Sequence, residues 1–169
     1  ESTLSLRPCN SPTIIDFSDF DGSGVAHQPT AGQLSTQEWA FAGFGNIDGN
    51  APFGSTNTSP SFARGITNGN GVNQVFEGIY GLSDDTGNQA LWIQPGGDVF
   101  EPGSMILRIC NHSGFTVNEV DLSYDILVLN NTDRTNHFNF SYSTSGNIFI
   151  PVGALDYSSP LNATASGIE

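Results

Sequence analysis

Residues 117–129, VNEVDLSYDILVL, alternate between apolar and polar positions. Val120, Leu122, Tyr124, Ile126 and Val128 share one side of a period-two register, and Glu119, Asp121, Ser123 and Asp125 share the other. The pattern predicts a long, half-buried strand of an antiparallel sheet. Shorter segments of the same kind are TIIDF (13–17), WAFAGF (39–44), SFARGI (61–66), NQVFEGIY (73–80), QALWIQ (89–94), SMILRI (104–109) and NIFIPV (147–152). Turn-forming clusters separate them: DGSG (21–24), NIDGNAPFGSTNTSP (46–60), TNGNG (67–71), SDDTGN (83–88), PGG (95–97), EPGS (101–104) and NHSG (111–114).

The stretch RTNHFNFSYSTSG (134–146) crowds Arg134, Asn136, His137, Asn139 and Ser141 around three aromatics, as a binding site would. Alternation gives a simpler account. Phe138, Phe140 and Tyr142 point into a core, and His137, Asn139, Ser141 and Ser143 point to solvent. The other reading is that the polar row lines a concave sheet face that holds a ligand. Regular short strands without a long helical pattern predict an all-β fold, an antiparallel β-sandwich of the jelly-roll kind with about 8–10 strands. One domain spans 1–169, with 158–169 as a loop or tail.

Composition supports the class. The 169 residues include 20 Gly, 9 Pro and 12 Phe, one Met and no Lys, which suits turns and strands better than helices. Seventeen acids stand against four Arg, for a net charge of −13. Such a surface repels phosphate, so nucleic acid and anionic membranes are poor partners. It suits a secreted protein in a salty, calcium-containing medium. No run of 18 apolar residues offers a membrane-spanning helix. A chain that begins at Glu1 rather than Met fits a mature extracellular or cell-surface protein after signal-peptide removal.

Cys9 and Cys110 belong to no C-x-x-C pair. In an oxidising compartment they would form a disulfide closing a loop of about 100 residues, worth about 4–5 kcal/mol on chain entropy. The alternative is two separate buried thiols. Sequons occur at Asn57, Asn111, Asn130, Asn139 and Asn162.

No catalytic constellation is encoded. His27, His112 and His137 lie far apart without ligand spacing, and DGSGV (21–25) is not a G-x-S-x-G elbow. Among 17 acids a close carboxylate pair is inevitable and indicates nothing. The expectation is a non-enzyme, with an enzyme domain acting on polysaccharide as the weakest alternative. For Ca²⁺, the candidate ligands are Asp16, Asp19 and Asp21 in DFSDFDGSG, and Asp84 and Asp85 in SDDTGN. Neither has EF-hand spacing, and a solvated acidic turn is the plainer reading of each alone. Trp39, Trp92, Tyr80, Tyr124 and Tyr157 are of the type that stacks on sugar rings, although both tryptophans sit in apolar strands.

GGDVFEPGSMILRICNHSGFTVNEVDLSYDILVLNNTDRTNHFNFSYSTSG (96–146) resembles a β-sandwich domain of secreted, often multidomain proteins of Bacteroidetes and related bacteria. Its motifs are an F-x-P-G-x-(I/L)-x-L-R pattern at Phe100–Arg108, N-x-(S/T)-G at Asn111–Gly114, SYD at Ser123–Asp125 and R-(S/T)-N-x-F-x-F-S-Y-S at Arg134–Ser143. DFSDFDGSG (16–24), AGQLSTQEW (31–39) and SFARGITNGNGVNQVFEGIYGL (61–82) extend the likeness over nearly the whole chain. The resemblance implies a non-catalytic accessory module that binds glycans or another cell-surface protein, or holds neighbouring domains in place. Such domains carry further strands, an LRW-like segment and an acidic DEFALDDI-like one, which are absent here. Either the native chain is cut short of them, or the last strands come from elsewhere, as in a structural or assembly role in which a partner donates a strand to bare sheet edges.

Overall fold

Backbone contact through glycine, more than any long apolar run, organises the N-terminal part of the molecule. A computed structural model describes residues 5–6, 12–44, 49–68, 76–83, 87, 89–96, 102–128, 133, 135–161 and 167–168, which fall into two compact units, 1–118 and 119–169. Unit 1 contains β1 (Ser5–Leu6), β2 (Phe20–Ala26), β3 (Gly32–Ser35), β4 (Trp39–Ala42) and β5 (Ala63–Thr67). It continues with β6 (Gly78–Ser83), β7 (Gln89–Gln94), β8 (Ser104–Leu107) and β9 (Cys110–Asn111). Unit 2 contains β10 (Leu127–Val128), β11 (His137–Phe138), β12 (Ser141–Tyr142), β13 (Ile150–Pro151), β14 (Tyr157–Ser158) and β15 (Gly167–Ile168). A single 3₁₀ turn, Gly153–Leu155, is the one helical element among the described residues.

The all-β expectation holds. Among the described residues the largest sheet is β5-β6-β7, all other sheets have two strands, and none closes. Three pairings are parallel (β1 with β9, β2 with β3, β5 with β6), a distinction the alternating pattern does not make.

DGSG is not a turn. It forms the middle of β2, which packs against β5 and β6. A Cβ at Gly22 would fall 2.6 Å from the Gly65 carbonyl carbon and 2.7 Å from the Gly81 nitrogen. A Cβ at Gly81 would fall 2.7 Å from the Asp21 carbonyl carbon. Here glycine lets two backbones approach with no side chain between them. Positive φ at Gly22 and Gly65 accompanies register shifts in the β2–β3 and β5–β6 ladders, the local irregularity of a bulge.

Over this layer lies an aromatic core. β4 pairs with β8 from Trp39↔Leu107 to Ala42↔Ser104, and Phe41 exchanges both backbone hydrogen bonds with Ala51. Phe41 meets Phe44 and Phe62 edge-on at 5.3 and 5.6 Å, and Trp39 meets Phe17 at 5.6 Å. Phe62, Ile79 and Val25 are fully buried, each worth about 1.5–3 kcal/mol relative to exposure.

Three of the expected strands do not form as the alternation predicts, among them NIFIPV (147–152), which carries strand only at β13. Residues 13–17 carry no strand, because the chain turns: Asp16 Oδ1 accepts the Ser18 N–H at 3.0 Å, and the Phe17 carbonyl accepts the Phe20 N–H at 3.0 Å. Phe17 sits at φ 55°, which an extended strand excludes. The long strand expected from 117–129 is reduced to β10, paired with β15; 117–126 have no ladder partner among the described residues.

Candidate functional site

Of the expected calcium ligands, Asp16, Asp19 and Asp21 do not gather into one cluster. Asp16 and Asp21 direct their carboxylates at nearby backbone: Asp16 accepts from Ser18, and Asp21 Oδ1 accepts the Ser23 N–H at 2.8 Å. The Ser18 hydrogen bonds hold the Asp16 carboxyl below its ordinary range. The Asp21 carboxylate also packs on Gly32, where a Cβ would collide with it. Asp19 is exposed in the same turn. Among the described residues no three His, Cys, Asp or Glu side chains form a group able to hold a metal. Asp84 and Asp85 lie outside the described residues, as does Cys9. Cys110 is a half-buried free thiol.

The aromatics expected as sugar platforms are mostly internal. Trp39 and Tyr80 are buried, and Trp92 is half-buried, 6.3 Å from Tyr80 across β6 and β7. The Tyr80 hydroxyl donates to the Phe76 carbonyl at 2.9 Å, and burial raises its pKa despite the nearby Arg64 charge.

Of the sequons, Asn57 is buried. Its Nδ2 donates to the Asn50 carbonyl at 3.2 Å, and its Oδ1 accepts the Ser59 N–H at 3.0 Å. Asn111 and Asn139 are exposed, the former with its Nδ2 on the Phe115 carbonyl at 2.7 Å. Asn130 and Asn162 lie outside the described residues.

Unit 2 gathers the polar-aromatic stretch into something more open than a core. Tyr124 packs edge-on to Phe138 at 5.6 Å and stacks on Phe140 at 6.1 Å, and its hydroxyl donates to the Leu155 carbonyl. Burial and the Asp156 charge raise the Tyr124 pKa. Phe138 and Phe140 thus face Tyr124 as alternation requires, yet Phe138 stays 38 % and Tyr142 47 % exposed. The polar row, His137, Asn139 and Ser141, is exposed; Ser143 is half-buried. His137 Nδ1 lies 2.8 Å from the Ser158 hydroxyl across β11 and β14.

Two polar clamps, which the sequence pattern does not reveal, hold these short strands. Asn136 donates its N–H to the Ser159 hydroxyl, and its carbonyl accepts the Ser159 N–H, both at 2.9 Å. The Asp156 carboxylate accepts the Phe140 N–H at 2.7 Å. Ser159 is the one buried residue of this unit among those described. Beside these strands, Val120 is 54 % and Leu122 40 % exposed. Tyr124 and Ile126 are half-buried, and Ser123 and Asp125 are exposed. Burial alternates only from Ser123 to Ile126; 119–122 are all exposed, and no ladder partner of 119–126 lies among the described residues. No protein-family model, no curated protein and no solved structure matches the chain.

Proposed function

We propose that the protein is a non-catalytic, extracellular attachment module whose C-terminal unit accepts a β-strand from a partner polypeptide. The observation that carries this reading is the state of residues 119–126: an alternating strand sequence with no ladder partner among the described residues, its apolar members Val120 and Leu122 open to solvent. Unpaired strand sequence beside exposed apolar side chains is the surface that strand addition covers, with backbone hydrogen bonds giving affinity and alternate side chains giving specificity. On this reading the antiparallel sandwich expected from the sequence is the state reached once the pairing is supplied.

Light scattering after size exclusion at about 10 μM tests it. Wild type is expected to associate or to carry excess mass. The double substitution Val120→Lys, Leu122→Lys is expected to give a monomer, since charges on an edge oppose strand pairing. A monodisperse wild-type monomer that captures no synthetic strand peptide of alternating Val and Thr would contradict the reading.

A further inference from the structure

In a chain of four Arg and seventeen acids, Arg108 rests on neutral partners. Its guanidinium lies over the Phe53 ring, 4.5 Å from the centroid, and donates to the Gln37 carbonyl. Its backbone N–H donates to the Glu38 carbonyl at 2.7 Å, which anchors the residue just after β8. Gln37 in turn donates its Nε2 to the His27 carbonyl at 3.2 Å. The Phe53–Gly54 turn is fastened by the Gly54 N–H on the Thr36 carbonyl at 2.9 Å, and His27 Nδ1 comes within 3.9 Å of where a Gly54 Cβ would stand. Four segments of unit 1 thus bring Arg108, Phe53, Gln37 and His27 to one patch. Arg108, Phe53 and His27 are exposed.

Stacking fixes the plane of a guanidinium and leaves its N–H edge free to fork onto two oxygens. An imidazole beside it can donate a further hydrogen bond. We propose that this patch is a binding site for one oxyanion group of a ligand, a carboxylate or a sulfate, gripped by Arg108 with His27 and Gln37 at its margin. The proposal stands apart from strand acceptance by unit 2, and neither depends on the other.

The test is a ¹H–¹⁵N titration of the full chain at constant ionic strength with sodium glucuronate, sodium sulfate and glucose. Saturable shifts at Gln37, Gly54 and Arg108 with millimolar affinity are expected for the anions and none for glucose. Glucuronate binding tighter than sulfate assigns a sugar carboxylate, and the reverse assigns a sulfate group. Arg108→Gln and Arg108→Lys are each expected to weaken binding at least tenfold. Arg108→Lys keeps the charge and a donor for Gln37, so it guards against loss through misfolding. Non-saturable shifts in wild type, equal shifts with glucose, or unchanged affinity in Arg108→Lys would overturn the proposal.

Discussion

Replacing Gly22 by Ala probes the contact that sets unit 1. Two costs add. The first is backbone strain, since Gly22 has φ 77° and an L side chain there costs about 1–2 kcal/mol. The second is steric, because the new methyl would lie 2.6–2.7 Å from the backbone of Gly65 and Gly81, and overpacking of this kind costs about 1–3 kcal/mol. Gly65 supplies the control: its φ of 78° is nearly the same, yet a Cβ there meets nothing within 4 Å. Gly65→Ala should therefore lose about 1–2 kcal/mol and Gly22→Ala about 2–5 kcal/mol. Urea unfolding followed by tryptophan fluorescence reads unit 1 alone, because both tryptophans, Trp39 and Trp92, lie in it. Equal losses in the two variants would refute close β2–β6 packing.

Other consequences can be checked on the same protein. Phe62→Ala should cost about 3–5 kcal/mol in the fluorescence-detected unfolding, while Ile66→Ala, close by in sequence and largely exposed, should change it by less than about 0.5 kcal/mol. Because burial raises the Tyr80 pKa in the folded state, its contribution is complete below pH 10 and is lost as pH rises past that value. A denaturation series from about pH 8 to 11 should show wild type losing more stability than Tyr80→Phe above pH 10. Expressed in a glycosylating host, the chain should carry no glycan at buried Asn57, as peptide mass mapping would show, with exposed Asn139 the more accessible acceptor.

Local pattern is legible in the sequence where side chains decide the structure. QALWIQ forms β7 over the expected residues, and WAFAGF and SMILRI form β4 and β8 at their starts. DGSG reads as a turn because turn propensity and close backbone approach both favour glycine, and the choice depends on Gly65 and Gly81, far away in sequence. TIIDF reads as a strand, but its alternation yields to the Asx turn at Asp16. In 117–129 the alternation is visible in the sequence but in burial only over 123–126; a ladder needs a second strand, and among the described residues only β15 meets it, at β10. The patch at Arg108 leaves no trace in the sequence, since Phe53 and His27 are distant along the chain and join it through turns.

Hydrogen exchange read by mass spectrometry on the monomeric chain bears most directly on strand acceptance by unit 2. Amides of 119–126 should exchange at nearly free-chain rates, while those of β6 and β7, paired from Gly78↔Gln94 to Ser83↔Gln89, stay protected. Protection of 119–126 equal to that of β7, in a chain shown to be monomeric, would mean that this strand is already paired and has no place for a partner's.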